Sequence, residues 1–302
     1  MAIKKLPSTG DAPRNTGVPA SLVAGGAADS AGFPWAGRTF DHHETAFAGD
    51  DGTTPEALKL AVARLRDAAA FHRQGSVLAP GASGAPGISG GLEALASAHT
   101  EALLALSAVR VLIPLLAEAG DFGLTPEGRT VEKSQELSIV TVGAPDGRRV
   151  MPVFSSVDAM RAWNPEARPI PVPMPQAAVA AAQEETDLII VDPGSPDSEI
   201  GVRRTQLEAV AIGARAVPAW ADAAVAEAFH AAAIGDARVR QISIAPADPE
   251  ARLLEAEVAV IVELQPGLER ASLEELLGEL QQRWAASEVI AARVDSLRLV
   301  LR

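Results

Sequence analysis

The chain has 302 residues, 48% of them hydrophobic, and its 26 Lys and Arg against 39 Asp and Glu leave a net charge of −13. That length suits about two domains with proper cores, while the acidic balance, with aromatics at 4% and no Tyr, argues against general binding of DNA or RNA. Cysteine is absent, which excludes disulfides, thiolate zinc sites, iron–sulfur clusters and cysteine nucleophiles.

No stretch approaches the ~18 consecutive apolar residues that span a bilayer. The most apolar run, Val109 to Ala117, is interrupted by Pro114. The start, Met1 to Pro7, has lysines but not the apolar stretch of a signal peptide, so a cytoplasmic location is expected.

Residues 1–53 read as a flexible arm of Gly, Pro, Ser, Asp and Ala without helical or strand period. Phe33, Trp35, Phe40 and Phe47 stand out in it. They either clip onto the folded body or meet a partner, and Trp35 is a candidate partner-binding residue. Thr54-Pro55-Glu56 then opens a helix, with Thr54 as N-cap and Pro at the first position. Leu58, Val62, Leu65 and Ala69 form its apolar stripe, and the helix runs to about His72. Residues 75–91 are an uncharged Gly/Ala/Ser/Pro linker. A second helix, Leu92 to Ser107, carries His99 on its apolar stripe, read as a satisfied boundary histidine.

From Val109 the apolar period becomes two, predicting a strand in which Pro114 argues for an edge or bulge. A strand around Leu137 and Ile139 follows, and Pro145-Asp146-Gly147 turns a hairpin into Arg149–Phe154. Ser155 or Ser156 caps a short helix ending at Trp163. Extended Pro169–Met174, an Ala-rich helix from Pro175, strands Asp187–Val191 and Glu199–Arg203, and a helix Thr205–Ile212 complete a larger mixed-sheet domain, residues 92–213. Residues 214–235 connect it to a smaller β-β-α-β domain, residues 236–302. There Leu254 to Leu264 alternate with Glu255, Glu257 and Glu263 as a half-buried strand. Ser272 and Glu275 form a capping box, the helix they open packs on the sheet through Leu273, Leu276, Leu277, Leu280 and Trp284, and Leu297, Leu299 and Leu301 make the last strand. The fold class is therefore α+β.

No constellation in this chain spells catalysis. Gly87-Ile88-Ser89-Gly90-Gly91 matches G-x-S-x-G in letters, but a Pro/Gly linker precedes it where the nucleophile turn needs a buried strand. Asp41-His42-His43-Glu44 places four consecutive side chains that cannot easily converge on a metal. Neither phosphate-binding nor dinucleotide-binding glycine loops occur, so no metal and no cofactor is expected. The arginines at 148, 149, 161, 168, 203 and 204 either pair with nearby acids or grip an anion. Phe154, Ser155 and Trp163 sit where a strand hands over to a helix, so Ser155 and the helix amides could receive an anion; the competing reading is Phe154 and Trp163 as core and Ser155 as a cap.

Met151-Pro152-Val153-Phe154-Ser155-Ser156-Val157-Asp158-Ala159-Met160 resembles the P-V-F-T-S signature of the N-terminal domain of the enhanced serine sensitivity (SseB) family. Asp192-Pro193-Gly194-Ser195 resembles its later N-P-G turn. Ser155 in place of Thr and Asp192 in place of Asn keep the capping and turn chemistry. The segments Gly32–Arg38 and Phe47–Gly52 are similar to an arm of members from GC-rich bacteria, and the β-β-α-β ending is similar to the family's C-terminal domain. The resemblance implies a fold and little about activity. Together these readings favour a non-catalytic protein-binding or adaptor module, with Phe154, Ser155, Trp163, Arg203, Arg204 and Trp35 as candidate ligand or partner residues. The alternative is a metabolite-binding protein or enzyme linked to amino-acid metabolism, with a pocket at Phe154, Ser155, Trp163 and Arg203. A protein partner is expected, nucleic acid and membrane are not, and oligomeric state is open.

Overall fold

The computed structural model describes residues 47–78, 86–117, 122–124, 130–132, 137–144, 147–184 and 186–302. Asp50–Arg302 forms one compact unit. Trp35, the other aromatics before residue 47 and the Asp41–Glu44 cluster lie outside the described residues.

The body opens with helices α1 (Glu56–Leu78) and α2 (Pro86–Ser107), which pack on one another. The stripe Leu58, Val62, Leu65 and Ala69 is buried as its spacing requires. Both helices run further into the expected linker than Gly and Pro content suggests, so Gly87–Gly91 is the first part of α2 rather than a strand-fed turn. His99 is buried, and its Nδ1 has no hydrogen-bond partner, which corrects the boundary reading.

Strand β1 (Arg110–Ala117) follows, then a two-stranded ladder of β2 (Phe122–Leu124) and β3 (Thr130–Glu132), then β4 (Leu137–Ile139), β5 (Val142–Gly143) and β6 (Arg149–Val153). Next come α3 (Val157–Trp163), β7 (Arg168–Pro173), α4 (Met174–Gln183), β8 (Leu188–Val191), β9 (Ile200–Arg203) and α5 (Leu207–Ile212). These strands make two sheets, β4-β1-β7 and β5-β6-β8-β9, joined by a bridge between Leu112 and Phe154.

The prolines are placed by the ladders. Leu112 exchanges backbone bonds with Phe154, so the backbone of Pro114, two residues on, faces the same side. There it falls between that bridge and the first β4 pairing at Leu115, where no partner needs its missing N–H. The strand is central in its sheet, yet at Pro114 it is locally an edge. Across from it, Pro169, Pro171 and Pro173 alternate with Arg168, Ile170 and Val172 along β7. Because the Met174 amide donates to the Val109 carbonyl at 3.0 Å, alternation turns the backbone groups of Val172 and Ile170 toward β1 and the proline nitrogens to the outer side of β7.

The C-terminal part carries α6 (Ala223–Ala231), β10 (Val239–Pro246), β11 (Val258–Leu264), α7 (Arg270–Ala285), α8 (Glu288–Arg293) and β12 (Leu297–Leu301). The sheet order is β10-β11-β12, antiparallel then parallel, which is β-β-α-β with one extra short helix. Leu276, Leu280 and Trp284 of α7 are buried on it. Helix α7 begins before Ser272, with Glu269 as its N-cap, so the expected capping box is not at its start. The fold class is α+β, and one continuous apolar core runs from Leu58 in α1 to Val294 beyond α8.

Candidate functional site

β6 and β8 are parallel neighbours ending on the pair Val153 and Val191, so Phe154-Ser155 and Asp192 leave the sheet side by side. Crevices outside the carboxyl ends of parallel strands are where ligands of open α/β sheets bind. Here the crevice is filled by the chain itself. Ser155 donates to Asp192 twice, from its amide to Oδ1 at 2.7 Å and from its hydroxyl to Oδ2 at 2.5 Å. Asp192 holds a left-handed backbone, φ 50°, while its amide donates to the Val153 carbonyl at 2.9 Å. Burial pushes its carboxyl above the usual aspartate range, against the pull of the Ser155 bonds.

Residues 50–54 close the site from outside. Arg110 of β1 donates from Nη2 to Asp50 Oδ1 at 2.8 Å, from Nε to Oδ2, from Nη1 to the Ser155 carbonyl, and from Nη2 to the Thr53 carbonyl at 2.7 Å. This two-point grip is the strong geometry for a guanidinium and a carboxylate, and it holds the Asp50 carboxyl below its ordinary value. The Thr54 and Ser155 hydroxyls lie 2.8 Å apart in a hydrogen bond, so Thr54 does not cap α1 as its position predicts. Gly52 turns the segment at φ 76°, and a Cβ there would sit 2.9 Å from Val157 Cγ2.

The cap of α3 is Ser156, which accepts from the Ala159 amide at 3.1 Å. The Val157 amide donates to the Gly52 carbonyl at 2.9 Å. Both amides of the expected anion cradle are thus engaged within the chain. Phe154 is fully buried and meets Trp163 with ring centroids 5.3 Å apart, in a small second core with Leu112, Met160 and Ala167.

The structure does not bring Arg203 to this place. Antiparallel register sets Arg203 opposite Leu188, at the far end of β8 from Asp192. Arg203 is buried and donates to Asp248 at 2.8 Å, to Asp295 at 3.2 Å, to Ser296 at 3.1 Å and to the Glu255 carbonyl at 3.1 Å. Arg148 reaches the same Asp295 oxygen at 2.8 Å. Burial raises the Asp248 carboxyl against the attraction of Arg203. Glu257, which alternation assigns to solvent, is buried instead, accepting from the amides of Asp295 at 2.9 Å and Ala219 at 3.2 Å. Arg204 is exposed, on the rim of a groove of about 620 Å³ between α4 and α5.

Sequence reasoning found Ser155 and missed its partners. The Asp-Pro-Gly turn at residue 192 marked a strand end, but nothing local says that its carboxylate meets a serine from another strand. Among the described residues, no three His, Asp or Glu side chains converge as a metal site requires, and no helix is long and apolar enough to cross a membrane.

Residues 89–209 match the family model of the SseB protein N-terminal domain. That span runs from the first turn of α2 into α5 and contains Ser155, Asp192 and Arg110. No curated protein and no solved structure matches the chain.

Proposed function

The chain belongs to the SseB family through residues 89–209, and from that premise we propose that it is a non-catalytic protein-binding module that adds a strand of its partner to β12. The observation that carries this reading is the state of the sheet edges. β7 is closed to further pairing by three outward proline nitrogens. β9 is covered by the segment at residues 248–253, whose Ala251 carbonyl accepts from the Gly201 amide at 2.6 Å.

β12 lacks such protection. It pairs with β11 on one side, where the Ser296 carbonyl accepts from Val258 and Arg302 bonds Val262 and Leu264. Strand alternation therefore turns the amides and carbonyls of Leu297, Leu299 and Leu301 outward, and among the described residues no backbone bond reaches them. These leucines remain 39%, 37% and 40% exposed. Beside them runs a groove of about 610 Å³, lined by Leu277, Trp284, Ile290 and Val294. Free main-chain groups plus pockets for alternate side chains are what strand addition needs. Arg298 and Arg302, interleaved with the leucines, favour acidic residues between the partner's apolar ones.

The test uses the full chain and extended peptides alternating Leu with Glu. Binding by the wild type and loss in Leu299→Pro supports the reading, because that substitution removes an outward amide that the fold itself leaves unpaired. Equal binding by both proteins, or concentration-dependent self-association abolished by Leu299→Pro without peptide binding, overturns it.

A further inference from the structure

We infer that the crevice at the carboxyl ends of β6 and β8 is a carboxylate-binding site, occupied in this chain by its own Asp50, and that its ligand class is a peptide bearing Asp-x-Gly-x-Thr. The site is separate from β12.

Three observations carry the inference. Arg110 is anchored from β1 with its side chain only 8% exposed, and it directs its donors into one small volume at the strand ends. Two of the acceptors there are the oxygens of a single carboxylate, and the others are carbonyls of Ser155 and Thr53. A buried guanidinium held in place by one carbonyl of the scaffold, Ser155, and completed by a carboxylate from a loop is a recognition geometry.

Next, the occupying segment is held by polar contacts. Asp50, Asp51 and Thr53 are exposed, and no residue from 50 to 54 is buried. Its attachments are the Arg110 grip, the Val157 amide on the Gly52 carbonyl and the Thr54–Ser155 hydroxyl pair. A segment with no buried apolar side chain opens at low cost relative to the core.

The scaffold beneath it, by contrast, is rigid and strained. Asp192 is fully buried in a left-handed conformation that non-glycine residues rarely hold, and it fixes Ser155 by two bonds. Strain of this kind is stored where surrounding structure demands it, commonly at binding sites. The pattern of the ligand follows from the occupant: a carboxylate for Arg110, a glycine where any Cβ meets Val157, and a hydroxyl two residues later for Ser155.

Chemical rescue tests this. In the full-length Asp50→Ala protein the guanidinium has lost its cis carboxylate. At matched ionic strength, acetate and a synthetic peptide of residues 50–56 should raise its melting temperature by several degrees. Chloride, and the same peptide with its first Asp replaced by Asn, should not, and wild type should not respond. Should Asp50→Ala give no cooperative melt, Gly52→Ala, which lifts the segment from Val157 and leaves Arg110 intact, carries the test with the same peptides. A folded variant that responds equally to chloride and carboxylate, or to the Asp and Asn peptides alike, overturns the inference.

Discussion

Thr54 and Ser155, 101 positions apart in the chain, share a hydrogen bond between their hydroxyls at 2.8 Å. Through it the segment preceding α1 is tied to the end of β6, and through Ser155 to Asp192 at the end of β8. The bond lies at the meeting of three chain segments, so its loss is felt in all of them.

Ser155→Ala removes a hydroxyl donor from the buried carboxylate of Asp192, which should cost ~1–3 kcal/mol. Ser156→Ala removes only the cap of α3 and should cost about 1 kcal/mol. Urea unfolding of the two variants checks the order. A larger loss from Ser156→Ala would show that the cap of α3 outweighs the Ser155–Asp192 bond.

His99 is held in its neutral form. Burial, with a smaller contribution from the positive charge of Arg203, lowers its pKa from 6.5 to about 4. The folded pKa lies below the unfolded one, so the stability tied to this group is present above pH 6.5 and is lost as pH falls toward 4. A shift of that size corresponds to ~3 kcal/mol across the window. His99→Phe, whose ring can keep the edge contact with Trp220, should flatten the dependence. Urea midpoints measured from pH 7 to pH 4.5 decide it: parallel curves for variant and wild type would contradict the assignment.

Gly201 has no room for a side chain, because a Cβ there would collide with Leu253. Gly201→Ala should therefore cost ~1–3 kcal/mol through overpacking. Leu253→Ala in the same chain should recover part of the loss, since the obstruction is a side chain rather than backbone. Thermal melts of single and double variants read this directly.

Asp236 is tied to Arg238 by bonds at 2.7 and 2.9 Å, and this pairing lowers its pKa from 3.8 to about 2. Its contribution is present above pH 3.8 and disappears as pH falls toward 2. Asp236→Asn should be less stable than wild type at pH 7, with the difference shrinking between pH 4 and pH 2. A difference that is constant with pH would show that the pair contributes shape and not charge.

Local order was written in local patterns. The stripes of α1 and α7, the alternation through Val258, Val260 and Val262, and the Ser-Ser step before α3 each depend on neighbours within a few positions, and a period of 3.6 or 2 reports them. So does the family signature at Met151–Met160. The edge prolines of β7 were visible as an extended segment, but that their nitrogens face outward depends on the register with β1.

What tertiary structure alone decided are the pairings of polar groups between distant strands. Glu257 follows the alternation of a surface position, yet the loop at Ala219 and the turn at Asp295 close over it, and two backbone amides take its carboxylate. The alternative reading sets Arg203 in one pocket with Ser155, but the antiparallel step from β8 to β9 carries it to the opposite end of the sheet, into the company of Asp248 and Asp295. Asp50 and Arg110 meet because β1 passes beside the end of β6. Sequence periodicity states which face of an element is buried; strand order and register state which charge waits on the other side, and that is fixed only when the sheet closes.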